Sequence, residues 1–198
     1  MDDQLSIRQQ KMRKVLSQRQ PNITVVLEDV HDPHNLSAVM RSCDAIGIME
    51  IYAVNTLTPP ITKVGKRSSS GAKKWITLHV FENVDECMQA VKAKYDLVYA
   101  THLSQDSVSL YDLELTGSVA LLFGNERLGL SPEILKHTNG NFIIPMQGMV
   151  QSLNISVACA VSLFEAMRQR INAGLYATPQ LPLETMSQLY ENWSQRDE

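Results

Sequence analysis

The order of apolar runs along the chain is the feature that most restricts its fold. Short apolar runs rich in β-branched residues are typical of buried strands, and they occur at residues 23–27, 49–54, 76–80, 96–101, 118–123 and 141–145. Segments with helical spacing alternate with them, at residues 5–18, 36–46, 83–94, 131–138, 153–173 and 184–194. This alternation predicts an α/β fold with a mainly parallel sheet and helices on both faces.

Size and composition predict a globular protein. The chain has 198 residues, of which 44% are hydrophobic, enough to bury a sizeable core. The longest apolar-rich run, residues 155–167, is too short to cross a bilayer and contains Glu165. Three widely spaced cysteines exclude CxxC metal knuckles and a dense disulfide framework, and no secretory signal is visible. We therefore expect a soluble, cytoplasmic protein.

The net charge of −3 conceals an uneven distribution of charged residues. Residues 1–20 carry five basic and two acidic side chains, and residues 61–75 carry five basic and no acidic ones. Residues 80–117 are mostly acidic in their charged positions. A polyanion responds to the local potential, so the pattern is compatible with RNA or DNA binding. Plain solvation of charged surfaces is the alternative.

Several common motifs are missing from the sequence. The glycines form neither GxGxxG nor GxxxxGK[ST], and no GxSxG elbow exists. These absences disfavour Rossmann NAD enzymes, P-loop NTPases and α/β-hydrolases. His31 and His34 flank Pro33 without a third ligand nearby, so we interpret them as part of a turn and expect no metal site.

Three polar clusters follow predicted strands, at residues 28–41, 124–130 and 145–156. The carboxyl ends of parallel strands share one edge of the sheet, which is where ligands bind in such folds. Each cluster alone could be ordinary turn and capping chemistry, with Asn35 or Ser37 capping one helix and Ser152 or Asn154 capping another. Three of them at one edge favour a functional site. The free N–H groups at the start of the helix capped by Ser152 or Asn154 suit an anion.

The helix predicted at residues 153–173 is apolar almost all round. Ten of the thirteen residues from Ile155 to Met167 are hydrophobic. A helix without a polar face needs cover on every side. We expect either a position deep in the core or, as the favoured alternative, contact with a second subunit.

The three clusters also resemble a known family. The phrases VHDPHNLSAVMRSCDAIG, LLFGNERLGLS and IIPMQGMVQSLNISVACAVSLFEAMRQR resemble, in order and spacing, the motifs of the SpoU/TrmH family of RNA 2′-O-ribose methyltransferases. The resemblance implies the SPOUT-type α/β knot fold with a deep C-terminal trefoil knot, an obligate homodimer and S-adenosylmethionine as cofactor. It divides the chain into a basic N-terminal helix (residues 1–20), the methyltransferase domain with the knot (21–176) and a helical tail (177–198).

The resemblance assigns site residues position by position. The implied catalytic residues are Asn35, Arg41, Glu126, Ser152 and Asn154. The implied cofactor-binding residues are Thr101, Leu103, Gly124, Glu126, Ile144, Met149 and Leu153. Arg41 matches the residue proposed to act on the ribose 2′-OH. Because arginine is a poor base, its conservative role is to stabilise the developing alkoxide and to hold the adjacent phosphate.

The basic residues complete the expected site. Matching family positions proposed for tRNA contact are Arg8, Arg19, Arg168 and Arg170, and local charge adds Lys66, Arg67, Lys73 and Lys74. The resemblance implies methyl transfer to a ribose 2′-OH of tRNA, with guanosine 18 of the D-loop as the favoured target. The alternatives are methylation of rRNA or of another tRNA position, and a non-catalytic RNA-binding dimer that keeps the fold.

Overall fold

The computed structural model describes residues 6–57, 71–125 and 127–195. The helices in these ranges are α1 (Ile7–Ser17), α2 (Pro33–Ile46), α3 (Val84–Lys92), α4 (Pro132–Leu135), α5 (Ile155–Asn172) and α6 (Leu183–Ser194). The strands are β1 (Ile23–Glu28), β2 (Glu50–Val54), β3 (Thr77–Phe81), β4 (Leu97–Thr101), β5 (Val108–Ser109), β6 (Val119–Phe123) and β7 (Gly140–Ile143). Short 3₁₀ turns lie at Ala72–Lys74 and Leu110–Asp112.

The described strands form one sheet in the order β3-β2-β1-β6-β4-β7-β5. Every pairing between neighbouring strands is parallel, which confirms the α/β prediction. The central strands β1 and β6 are buried at each position, as expected for strands with both faces covered. Strand β5 was not expected from the sequence, because two residues carry no periodic signal.

Successive residues of the central strands point into two separate cores. Val25 and Leu27 belong to the core that packs against α2 and α5. Val26 and Leu122 belong to the core on the opposite face, which packs against α3. This alternation is the two-residue period of a strand, and it confirms that helices cover both faces.

The start of α2 differs from the prediction. The carboxylate of Asp32 accepts a hydrogen bond from the His34 N–H at 2.8 Å, and Pro33 is the first helical residue. Proline suits this position because its φ is already helical and its missing N–H is not needed. The prediction that Asn35 or Ser37 caps this helix is therefore wrong.

The terminal helices α1 and α6 pack against each other, apart from the two cores that flank the sheet. Met12 and Leu16 of α1 and Trp193 of α6 form a third apolar cluster. No helix in the described ranges is both long and apolar enough to span a membrane. The segment boundaries near residues 20 and 176 and the trefoil knot stay predictions.

Candidate functional site

A cavity of about 460 Å³ lies at the carboxyl edge of the sheet, where β6, β4 and β7 end side by side. Its walls include residues 101–103, 123–125, 142–144 and 151–155, so each neighbouring strand and the start of α5 contribute to it. Small-molecule sites have volumes of about 300–1,000 Å³, and parallel sheets bind ligands at this edge. Position and size together make this cavity the candidate active site.

The loop after β6 requires glycine at two positions. A Cβ atom on Gly124 would lie 2.4 Å from the carbonyl carbon and oxygen of Gly129. Gly129 itself has a φ of +70°, in the left-handed region that favours glycine. The N–H and C=O of Asn125 both pair with those of Gly129, at 3.1 and 2.8 Å. The loop is a tight turn, and the predicted carboxylate Glu126 lies outside the described residues.

Asn125 joins the ends of the neighbouring strands. Its buried side chain donates to the carbonyl oxygen of Asp29 at 2.9 Å and accepts from the Arg127 N–H at 2.8 Å. Asp29 has a φ of +51°, and its carboxylate accepts from the N–H groups of Thr56 and Leu57, both at 2.9 Å. These bonds tie together the segments that follow β1, β2 and β6. Both residues fall within the first two polar clusters of the sequence, where no pattern distinguishes them, and their partners follow from burial, since buried polar side chains are hydrogen-bonded.

Glu28, the last residue of β1, forms further hydrogen bonds near the same edge of the sheet. Its buried carboxylate accepts from the N–H of Ser131 at 2.7 Å and from its hydroxyl at 2.6 Å. Burial raises the pKa of Glu28, although the two hydrogen bonds from Ser131 oppose that shift. Ser131 also caps α4 by accepting from the Ile134 N–H. The end of β1 is thereby fixed to the start of α4.

The start of α5 brings the first and third clusters together. The side-chain oxygen of Asn154 caps α5 by accepting from the N–H of Ser156 at 2.9 Å. The amide nitrogen of Asn154 donates to the side-chain oxygen of Asn35 on α2 at 3.2 Å. Two predicted catalytic residues, 119 positions apart in sequence, are therefore in direct contact. The N-terminal end of α5, whose dipole favours negative charge, opens into the cavity.

Of the other predicted catalytic residues, Ser152 lies at the cavity and Arg41 lies outside it. Ser152 lines the cavity beside Asn154. Arg41 lies on the exposed side of α2, six residues after Asn35 and outside the cavity lining. The structure therefore does not bring Arg41 into the cavity of its own chain.

Most of the residues predicted to bind a cofactor line the cavity. Those that do are Thr101, Leu103, Gly124, Ile144 and Leu153. Met149 is 98% exposed and lies outside the lining, which includes Met146 and Gln151 but none of residues 147–150. The sequence did not single out His102, Phe142 and Met146, which also line it. In the sequence, His102 and Met146 are marked only by following β4 and β7, and Phe142 only by lying within β7.

Two of the arginines predicted to contact tRNA are buried. Arg19 is 0% exposed, and its guanidinium donates to the carbonyl of Ile48 at 3.0 Å and to the carboxylate of Asp44 at 2.9 Å. Arg170 is also 0% exposed and donates to the carbonyls of Leu115 and Gly117, at 2.9 and 2.6 Å. Both guanidinium groups are bonded to the protein's own oxygens, so the prediction that they contact tRNA is wrong.

The other predicted RNA-binding residues lie at the surface or outside the described ranges. Lys73 and Lys74 are exposed at the 3₁₀ turn before β3, and Arg8 is half-buried on α1. Arg168 is exposed and binds the carboxylate of Glu165 through two bonds, at 2.9 and 2.7 Å. Lys66 and Arg67 lie outside the described residues. In the described ranges no group of three His, Cys, Asp or Glu side chains could hold a metal ion.

Comparison with known proteins agrees with this arrangement. The model of the SpoU rRNA methylase family matches residues 22–164, which contain all the described strands and the whole cavity lining. The chain belongs to this family. The tRNA (guanosine(18)-2′-O)-methyltransferase of Thermus thermophilus is 44% identical over 193 residues, 98% of both chains. The Escherichia coli K12 enzyme with the same description is 39% identical over 82% of this chain and 70% of its own length.

Solved structures of SpoU relatives have the same fold. The Aquifex aeolicus TrmH/SpoU tRNA modifying enzyme superposes with a TM-score of 0.87 at 34% identity and covers 94% of both chains. An AdoMet-bound rRNA methyltransferase from Sinorhizobium meliloti gives a TM-score of 0.68 at 32% identity, over 79% of this chain and 59% of the other. The family indicated by the three motifs and the α/β fold predicted from the alternation of strands and helices are both confirmed.

Proposed function

We propose that this protein transfers a methyl group from S-adenosylmethionine to the ribose 2′-OH of tRNA, with guanosine 18 as the target. The observation that carries the proposal is the hydrogen bond between Asn35 and Asn154, of which Asn154 lines the cavity, in a chain 44% identical to an enzyme of that description. A cytoplasmic site of action follows from the tRNA substrate and is part of the proposal.

The cavity suits S-adenosylmethionine chemically. Leu103, Ile144 and Leu153 supply apolar surface of the kind that holds an adenine ring. Backbone groups of the loop after β6 lie beside them, and the described lining contains no Asp, Glu, Lys or Arg. When bound, the cofactor would supply an electrophilic methyl group on a sulfonium, which an oxygen nucleophile takes by in-line displacement.

The chain's own residues must orient and activate the ribose hydroxyl. Asn35 and Asn154 hold the starts of α2 and α5 together, and Ser152 lies two residues before Asn154 in the cavity lining. Fixed geometry of this kind turns a two-molecule reaction into an effectively one-molecule step. From the family resemblance, Arg41 stabilises the developing alkoxide in this proposal, and Glu126 is a further catalytic residue.

A homodimer is part of the proposal. Three apolar side chains of α5, Val157, Phe164 and Ile171, are 46%, 53% and 51% exposed. They are spaced seven residues apart, so they lie on one stripe of the helix. Exposed apolar side chains aligned along one side of a helix favour contact with another protein surface.

The decisive experiment incubates the protein with tritiated S-adenosylmethionine and total tRNA and maps the labelled nucleotide. The proposal expects label on the ribose of guanosine 18. Label at another tRNA ribose, or label that appears only when rRNA replaces tRNA in the assay, would change the substrate but keep the chemistry. Tight binding of tRNA without any transfer, under conditions in which the Thermus relative is active, would favour the non-catalytic RNA-binding dimer.

A further inference from the structure

A second cavity, of about 600 Å³, lies away from the candidate active site. It is formed by α1, by the 3₁₀ turn Ala72–Lys74 with the following Trp75, and by Trp193 of α6. Trp75 comes two residues before β3 begins, and Arg19, which also lines the cavity, comes four residues before β1. The cavity is therefore at the amino edge of the sheet, whereas the candidate active site is at the carboxyl edge.

The floor of this amino-edge cavity is aromatic and rigidly held. The rings of Trp75 and Trp193 are 4.9 Å apart between centroids and inclined at 63°. Trp193 is 5% exposed, and the guanidinium of Arg19 lies 5.1 Å from its ring centroid. Arg19 also donates to the carbonyl oxygen of Trp75 at 3.4 Å and to Asp44 at 2.9 Å. Trp75 remains half-buried, so part of its ring faces the cavity.

The rim of the cavity is cationic. Arg8, Lys11 and Lys74 line it, and the only acidic side chain among its described lining residues, Asp44, already binds Arg19. The chain as a whole has a net charge of −3, so this concentration of positive charge is local. An aromatic ring beside several cations is the combination that binds single-stranded nucleic acid, because any base stacks on the ring and the cations attract its phosphates.

The location excludes the reacting nucleoside as the occupant. The strands between the two edges are about five residues long, and a strand rises about 3.3 Å per residue, so the edges are on the order of 17 Å apart. A ligand here must be a separate part of a large substrate, and a folded tRNA is large enough to reach both edges.

We propose that the amino-edge cavity binds one unpaired base of the RNA substrate, stacked on Trp75, with its flanking phosphates on Arg8, Lys11 and Lys74. The inference rests on the proposed function, in that it takes RNA as the substrate. It adds a nucleotide subsite remote from the methyl-transfer site.

The chain contains its own probe for this subsite. It has two tryptophans, Trp75 and Trp193, and both line the amino-edge cavity. Selective excitation of tryptophan therefore reports on this cavity alone. Titration with unmodified tRNA should quench the emission, whereas saturating S-adenosylmethionine should leave it within a few per cent of its starting value. An emission that stays constant while tRNA binds, as followed by filter retention, overturns the proposal without any variant.

Two pairs of variants test the stacking and the charge. Trp75→Ala should raise the Kd for tRNA about tenfold, and Trp75→Phe, which keeps a ring, should raise it much less. Lys11→Gln should reduce the slope of log Kd against log salt by about 0.7–0.9, the effect of losing one phosphate contact. The matched control Lys92→Gln removes an exposed charge on α3 and should leave the slope unchanged.

Methylation of tRNA by the wild type, measured in the same preparations, separates the two proposals. If the wild type transfers no methyl group, the proposed function fails whatever the fluorescence shows. If it methylates tRNA while Trp75→Ala matches it in Kd and Lys11→Gln matches it in salt slope, the subsite is wrong and the function stands. Should Trp75→Ala not fold by circular dichroism, the quenching of the wild type and the Lys11 pair decide.

Discussion

Arg168 and Arg170 are two residues apart on α5, and their guanidinium groups lie in opposite environments. Two residues along a helix correspond to a rotation of about 200°, so one side chain faces outward and the other inward. Arg170 donates to the main-chain carbonyls of Leu115, Gly117 and Asn22 and also to the side chain of Asn22 at 2.6 Å. Burial lowers the pKa of Arg170 to about 10, so the group stays charged at neutral pH. A basic pair in the sequence therefore does not identify an RNA-binding pair.

This contrast gives a matched pair of variants. Arg170→Met should lower the free energy of unfolding by about 3–5 kcal/mol, because it leaves buried carbonyl oxygens without donors. Arg168→Met should leave the urea midpoint close to that of the wild type and should act on tRNA affinity instead. Equal urea midpoints for the two variants would contradict the structural role of Arg170.

Arg41 is the residue to test for chemistry. It is exposed on α2, so Arg41→Ala should fold with an unchanged melting temperature. The proposed charge stabilisation predicts a fall in kcat of at least about a hundredfold, with a smaller effect on KM. Single-turnover kinetics with saturating tRNA measure the rate of the methyl-transfer step. A variant with kcat near that of the wild type would remove Arg41 from the chemistry.

At the scale of the elements, α5 has two apolar sides with different surroundings. Leu163 is 0% exposed and belongs to the core that packs against α2, whereas the neighbouring Phe164 is 53% exposed. The sequence showed a helix that needs cover on every side, but it could not show which side the protein's own core covers. That division depends on the packing of residues distant in sequence.

The two sides of α5 predict different outcomes for the same substitution. Leu163→Asp should prevent folding, because an unpaired charge in the core costs several kcal/mol. Phe164→Asp should keep the circular dichroism of the folded protomer and shift sedimentation from dimer to monomer. A wild type that sediments as a monomer at micromolar concentration and still methylates tRNA would contradict the dimer.

The elements with an extended hydrophobic pattern can be predicted well from the sequence. The helices expected at residues 153–173 and 184–194 begin and end within two residues of α5 and α6. The prediction missed β5, which has two residues, and misplaced the cap of α2, where Asp32 and Pro33 act together. Hydrophobic patterning reports local structure, and neither a two-residue strand nor a cap partner changes that pattern.

At the scale of the molecule, the parallel strands bring the three polar clusters to one edge of the sheet, as the alternation of strands and helices predicted. The second and third polar clusters follow β6 and β7, which both lie beside β4 in the sheet, and the first cluster joins them through Asn35. The positions of Met149 and Arg41 relative to the cavity could not be predicted, because both depend on how a loop or a helix face turns. The burial of Arg19 and Arg170 could not be predicted either, since it arises only when segments distant in sequence pack together.

The stability of the whole molecule should depend on pH through Glu50. This carboxylate at the start of β2 accepts from Lys94 at 2.8 Å, from His79 at 2.9 Å and from the hydroxyls of Tyr52 and Tyr95 at 3.0 and 3.1 Å. Burial alone would raise the pKa of Glu50, but the hydrogen bonds from Lys94, His79 and Tyr52 outweigh it and hold the pKa below its ordinary value. The folded state therefore binds the proton of this group less readily than the unfolded chain does.

The sign of the resulting pH dependence follows from that difference. Since the pKa of an unfolded glutamate is about 4.3, the contribution of Glu50 is complete above about pH 5 and is lost as the pH falls through the lower pKa of the folded state. Glu50→Gln should cost about 1–2 kcal/mol of unfolding free energy at pH 7, and the difference from the wild type should shrink below about pH 4. Urea unfolding from pH 7 to pH 3 measures both values, and Glu82→Gln, which changes an exposed carboxylate, is the control. A difference that persists or widens toward pH 3 would mean that the carboxylate of Glu50 does not stabilise the fold through its charge.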